Sequence, residues 1–267
     1  MAISEGGPDA ESSFRLAAQL AAMFGGTVDA VHFTEDKEHD SDIANQSMPF
    51  VARLSHDRLA ARAAETHRAY DALIAPLPGA TFTGDQPMTR EALVRLGRFA
   101  GVIVIGRPGA DPENVAPETV RAAIYDSARP VIIAPPRPVG VVPGRVVIAW
   151  NGSAPAARAV GAALPLLRKA GAATVLATGG GSVEADGPRL VRLLARHGVA
   201  ATVEAVTLHG LTARARGRAL IAEAVARKAD LLVMGAYGDG GLSTFLGLGG
   251  ATAKVIAACP MPLLLAR

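Results

Sequence analysis

Leu231-Leu-Val-Met-Gly-Ala-Tyr-Gly-Asp-Gly-Gly-Leu-Ser-Thr-Phe-Leu-Gly-Leu-Gly-Gly-Ala-Thr-Ala-Lys-Val-Ile256 carries the pattern from which the rest of the chain can be read. An apolar run ending at Met234 stops at Gly235, a glycine-rich loop follows, and Gly249-Gly250-Ala251-Thr252 leads into an apolar helical segment. Buried strand, loop and helix start together make a cradle for phosphate. Glycines let the backbone approach closely, and the free N–H groups of a first helical turn point at an anion. Met234, Gly235, Gly238, Gly249, Gly250, Ala251 and Thr252 are therefore expected to hold a nucleotide; the alternative is a flexible connection without function.

Working outward, the same order of elements is written twice. Ala100-Gly-Val-Ile-Val-Ile-Gly106 parallels Ala229-Asp-Leu-Leu-Val-Met-Gly235, and Ala128-Arg-Pro-Val-Ile-Ile-Ala134 parallels Cys259-Pro-Met-Pro-Leu-Leu-Leu-Ala266. In the second half, strands are expected over 145–149, 173–177, 201–207, 230–234 and 261–265. Helices are expected over 156–170, from about Pro188 to His197, over 218–228 and over 251–258. In the first half, helices are expected over 9–24, 50–75, 91–100 and 117–127, with strands over 27–33, 81–83, 102–105 and 131–134. Strands alternating with helices argue for α/β architecture, with two doubly wound five-stranded parallel-sheet domains over 1–137 and 145–267. Arg137 to Gly144 is the expected linker. Only Met1-Ala-Ile precedes Ser4-Glu-Gly-Gly, so the first strand of the first domain is expected to be very short, or missing through a start downstream of the natural one.

Composition excludes several classes. Half of the residues are hydrophobic but few are aromatic, so the core must be built from Ala, Val, Leu and Ile. No apolar run reaches the roughly 18 residues of a membrane span, and no basic-then-apolar leader opens the chain. The single cysteine, Cys259, cannot form an intrachain disulfide and reads as a small buried residue; a cytoplasmic setting is expected. From residue 138 on there are 14 basic and 6 acidic side chains, net +8, against a net −5 before it. A basic half suits an anionic ligand, although Arg189, Arg192, Arg196, Arg214, Arg216 and Arg218 also read as solvated helix faces. Aromatic and basic residues do not interleave as nucleic-acid surfaces require, so neither nucleic acid nor membrane is an expected partner.

The segment Val146-Val-Ile-Ala-Trp-Asn-Gly-Ser-Ala-Pro-Ala-Ala-Arg-Ala-Val160, together with Ala229 to the end, resembles the universal stress protein family, and the repeat resembles its tandem two-domain form. Nucleotide-binding members carry Gly-x2-Gly-x9-Gly-Ser/Thr after the fourth strand. Gly235-Ala-Tyr-Gly238 matches the first part; ten residues then precede Gly249, and Gly250 stands where the family prefers a hydroxyl. The resemblance implies ATP or a related adenine nucleotide, with Mg²⁺ arriving on the phosphates. It also implies an adenine site at Ala149, Trp150 and Asn151, where the family commonly has Asp, and at Thr178. An intramolecular pseudo-dimer is implied, with the strands around 131–134 and 263–265 pairing antiparallel; a homodimer and an unidentified protein partner stay open.

In the first half, Pro108, Pro112 and Pro117 remove amide donors and Asp111, Glu113 and Glu118 add negative charge, so no nucleotide is expected there. The six histidines form no metal-ligand spacing, no nucleophile–base–acid grouping is evident, and no catalytic residue is assigned. His209 and Lys254 lie near the expected ligand edge, as a solvated loop residue and a potential phosphate contact. A stress-linked nucleotide sensor or regulator is the leading reading; a scaffold of the same family without nucleotide and a slow ATPase remain alternatives.

Overall fold

The computed structural model describes residues 1–7, 9–35, 49–109, 114–137, 143–178, 182–208, 210–236 and 250–267. Two compact units emerge: Met1–Ser127 together with Pro136–Pro138, and Ala128–Pro135 together with Val139–Arg267.

The first unit runs β1 (Ala2–Ser4), α1 (Asp9–Phe24), β2 (Asp29–His32), α2 (Pro49–Leu73), β3 (Thr81–Thr83), α3 (Arg90–Gly97), β4 (Ile103–Gly106) and α4 (Pro117–Asp126). Its strand order is β3-β2-β1-β4. The first strand is the expected short one: three residues, all buried, paired parallel with β2 on one side and β4 on the other. Its central place explains why so little chain suffices, because both neighbours and α1 cover it.

The second unit holds β5 (Val131–Ala134), β6 (Arg145–Trp150), α5 (Ala154–Lys169), β7 (Ala172–Ala177), α6 (Ser182–Arg196), β8 (Ala201–Ala205), α7 (Ala213–Ala226), β9 (Leu231–Gly235), α8 (Ala251–Ala258) and β10 (Leu263–Ala266). Strand order is β5-β10-β9-β6-β7-β8. All of its pairings given by register are parallel except β5 with β10, which run antiparallel with Leu264 opposite Ile132. The chain order reverses at β6, with β7 on one side and β9 on the other. Such a reversal opens a crevice at the carboxyl ends of the two strands, where open α/β sheets take their ligands.

The core is aliphatic, as composition requires. Val146, Val147, Ile148, Leu231, Leu232, Val233, Leu263, Leu264 and Leu265 are all buried. Each such side chain contributes roughly 1.5–3 kcal/mol on full burial, an upper estimate against an extended chain. Cys259 is buried among them, as expected.

Two helices differ from their sequence expectation. Helix α6 begins at Ser182, not near Pro188, and carries Pro188 within it. Gly187 explains the close fit of this segment: a Cβ there would lie 2.6 Å from Val203 Cγ2 on β8. Helix α7 begins at Ala213, five residues before the expected Arg218, because Thr212 caps it by accepting from the Ala215 amide at 3.2 Å. A threonine cap followed by Ala-Arg-Ala-Arg-Gly has no apolar periodicity to announce it. Strand β8 also stops at Ala205 rather than Thr207.

Candidate functional site

The carboxyl ends of β6, β7 and β9 lie level with one another. Ala149 is in register with Leu176 and Met234, and Trp150 with Ala177. Six of the expected site residues, Ala149, Trp150, Asn151, Thr178, Met234 and Gly235, therefore share one edge of the second unit. Gly250, Ala251 and Thr252 form the start of α8. Gly238 and Gly249, with the extra loop residue, lie outside the described residues, as do Gly179 to Gly181, His209, and Asp111 to Glu113 of the first half.

Trp150 and Thr178 are tied together. The Trp150 carbonyl accepts the Thr178 amide at 2.8 Å and its hydroxyl at 3.2 Å. The indole Nε1 of Trp150 is buried and has no hydrogen-bond partner among the described residues. A buried donor left unpaired costs about 1–3 kcal/mol, so this N–H fits an acceptor supplied from outside the chain.

Asn151 has a local occupation. Its Oδ1 accepts the Ser153 amide at 3.2 Å and the Ser153 hydroxyl at 2.7 Å, while Ser153 Oγ accepts the Ala156 amide at 3.3 Å. This relay turns the chain from β6 into α5, with Gly152 at φ 73°. A ligand contact would have to use the remaining acceptor capacity of Oδ1 or the side-chain NH2. Gly235 likewise has a packing role: a Cβ there would lie 2.5 Å from Ala156 N and 2.7 Å from the Pro155 carbonyl carbon. The end of β9 thus accepts the first turn of α5 directly.

The helix starts distinguish themselves. Helices α3, α5 and α7 are each capped by their own hydroxyl, from Thr89, Ser153 and Thr212. Helix α8 begins after Gly250, which has no side chain to cap it, and its first turn closes through Lys254 N to Gly250 O at 3.1 Å. Its counterpart in the first half, α4, begins after Ala116, which also lacks a capping side chain. There the carboxylate of Glu5 serves instead. Glu5 Oε2 accepts the Ala116 amide at 2.9 Å, and Thr119 adds a side-chain hydrogen bond.

Glu5 follows β1 as Asn151 follows β6. The turn that aims it is locked by α2: Arg62 Nε donates to the Glu5 carbonyl at 2.6 Å, and Glu65 Oε2 accepts the Gly7 amide at 2.9 Å. Gly6, at φ 85°, sits so close to α2 that a Cβ would lie 2.4 Å from Arg62 Cβ. Burial pushes the Glu5 carboxyl above its ordinary range, opposed by the hydrogen bonds from Thr119 and Ala116. Beside it, His32 is buried and bonded to Thr66 through Nδ1 at 3.0 Å and to Thr34 through Nε2 at 3.2 Å. Burial first, and then Arg62 and His67 nearby, lower its pKa to about 4.

The sequence reading passed over Glu5, although Ile3-Ser-Glu-Gly-Gly7 lines up with Ala149-Trp-Asn-Gly-Ser153 at the same point of the repeat. Among the described residues no group of His, Cys, Asp and Glu is placed to hold a metal ion, and no helix is long and apolar enough to cross a membrane.

This architecture, with its strand order reversing at β6, is that of a doubly wound α/β fold. Residues 144–267 match the model of the universal stress protein family, and this half of the chain is a universal stress protein domain. The whole chain shares its fold with a universal stress protein from Archaeoglobus fulgidus DSM 4304: 18% identity, 100% of this chain and 96% of that chain covered, TM-score 0.62. A universal stress protein solved in complex with cAMP is similar over 47% of this chain and 97% of its own, with 22% identity and a TM-score of 0.38. A family member from Burkholderia pseudomallei is similar over 48% of this chain and 98% of its own, with 18% identity and a TM-score of 0.33. No curated protein sequence matches the chain.

Proposed function

We propose that the second unit binds ATP or a related adenine nucleotide and that the chain acts as a stress-linked nucleotide sensor in the cytoplasm. The base would lie against Ala149, Trp150 and Thr178, with Asn151 beside it. The phosphates would meet the first turn of α8 at Gly250, Ala251 and Thr252, Mg²⁺ arriving with them. Met234 and Gly235 form the floor, and Gly238 and Gly249 complete the expected loop.

The observation that carries this reading is the contrast between the two halves. At α4 an internal carboxylate, Glu5, occupies the helix start. At the equivalent start of α8, Gly250 brings no side chain of its own to cap the helix. A helix N-terminus carries about half a positive charge and unpaired N–H groups, so the second half is suited to an anion from outside. The buried indole N–H of Trp150 is a second donor on the same edge. The first unit, closed by its own carboxylate, takes no nucleotide and serves the assembly as a pseudo-dimer partner.

Thermal melting with and without Mg-ATP tests this. A ligand that binds only the folded chain stabilises it by about 2.7 kcal/mol at one hundred times its Kd, so the midpoint must rise. A midpoint unmoved at millimolar Mg-ATP would favour the second reading, a scaffold without nucleotide. Two observations support that alternative: Asn151 Oδ1 is engaged within its own turn, and Gly235 has a packing reason to be glycine.

A further inference from the structure

Helix α3 turns an apolar stripe towards solvent. Phe99, one residue past its C-cap, is 88% exposed, more than any other large hydrophobic side chain among the described residues. Its amide still donates to the Leu96 carbonyl at 3.1 Å, so it continues the helical turn. Leu96 is itself 40% exposed, and Ala92, one turn earlier, is half-buried. At about 100° per residue these three share one side of the helix, opposite the buried Leu93, Val94 and Gly97. The fold does not require this phenylalanine. Phe99 precedes Ala100 as Lys228 precedes Ala229, so the repeat places an exposed lysine at the same point of the second half.

The charges beside the stripe are sorted along the helix by sign. Glu91 lies in the first turn, Arg95 and Arg98 at the other end, and all three are exposed. They occupy one flank, within about 60° of one another. A groove between α3 and α4, with Ala122 and Asp126 on its far wall, runs along that flank, so α3 stands out as a ridge. Arg98 is held in place there, its Nη2 donating to the Asp126 carbonyl at 3.2 Å. Turned end for end, this ridge complements itself. In an antiparallel pair related by a two-fold axis, the same flank of each helix meets its copy, and Glu91 of each stands opposite Arg98 of the other. Phe99 then lies over the small side chain of Ala92 in the other copy, with Leu96 near the axis.

We infer that the chain self-associates through α3, the Ala92, Leu96 and Phe99 stripes of two copies packing antiparallel about a two-fold axis, with Glu91–Arg98 pairs closing the flank. A second copy is the occupant that this surface fits, because it brings both the large-over-small packing and the reversed order of charge. A two-fold contact uses the same patch on both copies and closes, so association stops at the dimer. One short helix per copy makes a small interface, and the dimer is accordingly weak, with a Kd on the order of tens of micromolar. The inference stands on the first unit alone and does not depend on a nucleotide in the second.

Sedimentation velocity of the full chain, from micromolar to near-millimolar concentration, tests the assignment. The unaltered chain should pass reversibly from monomer to dimer. Phe99→Lys, which installs the residue found in the second half, should weaken the dimer at least about tenfold. Glu91→Arg should weaken it as well, since it sets like charges opposite each other. Glu91→Arg/Arg98→Glu exchanges the pair and should restore association to within about threefold of the unaltered chain. Melting midpoints taken at monomeric concentration show which variants are folded. Phe99→Lys changes a side chain that packs against little of its own chain, so it carries the test should a charge variant fail to fold. A chain that stays monomeric throughout overturns the inference and leaves the stripe to a partner other than a second copy. Dimerisation indifferent to Phe99→Lys, or association that continues beyond the dimer, overturns it too. A folded charge exchange that does not recover the dimer overturns the antiparallel pairing.

Discussion

The carboxylate of Glu5 accepts the amide of Ala116 at 2.9 Å, joining residues 111 positions apart in the chain. It ties the end of the first unit's central strand to the start of α4. The same two places in the second unit are Asn151 and Gly250, where Asn151 turns inward to Ser153 and Gly250 brings no side chain of its own to cap α8. One half of the repeat brings a carboxylate to this helix start; in the other, Gly250 contributes no side chain.

Removing the Glu5 carboxylate should loosen the first unit. Glu5→Ala strips the Ala116 amide and Thr119 of their acceptor and should cost about 1–3 kcal/mol in urea unfolding. Glu5→Gln keeps an oxygen and should cost less at neutral pH. Burial raises the carboxyl's pKa above its ordinary value of 4.5, so its contribution is fully present below that value and lost as pH rises through the raised one. The stability of Glu5→Gln relative to the unaltered chain should therefore increase with pH above about 4.5; a difference independent of pH would contradict the burial argument.

His32 acts in the opposite direction. Its pKa falls from 6.5 to about 4 on folding, so its contribution is present above pH 6.5 and is lost as pH falls towards 4. Stability of the unaltered chain should drop across that window with a slope of up to roughly 1.4 kcal/mol per pH unit from this group. His32→Gln, which has no charge to gain, should flatten that slope in denaturant midpoints measured between pH 7 and 4.5. An unchanged slope would place the acid sensitivity elsewhere.

Gly235 should be intolerant for reasons unrelated to ligand. Gly235→Ala brings a methyl carbon within 2.5 Å of Ala156 N and should cost about 1–3 kcal/mol, read as a lower ligand-free melting midpoint. Gly161, in the middle of α5, has nothing within 4 Å of its Cβ position, and Gly161→Ala should raise the midpoint by about 0.5–1 kcal/mol of stability. If both behave alike, backbone packing at Gly235 is not what demands glycine there.

Much of the fold was legible because its signals are local. Apolar runs such as Ile103–Gly106 and Leu231–Gly235 are strands buried on both faces, and their recurrence exposed the repeat. The α8 start was legible too, since Gly250-Ala-Thr after a glycine-rich loop opens a helix as expected. What escaped depends on tertiary contact. The start of α7 rests on the Thr212 hydroxyl and on packing of Gly217 against Ala251, neither of which leaves an apolar period. The reach of Glu5 to Ala116 joins distant segments, and Asn151's inward turn depends on a serine two residues on.

Trp150 is the chain's one tryptophan, so its indole N–H gives a single resonance in a ¹H–¹⁵N spectrum of labelled protein. Titration with Mg-ATP tests the central claim most directly. Saturable movement of that resonance, lost on adding excess unlabelled competitor protein, is the predicted result; an indole resonance unmoved at millimolar Mg-ATP would contradict a nucleotide at the ends of β6 and β9.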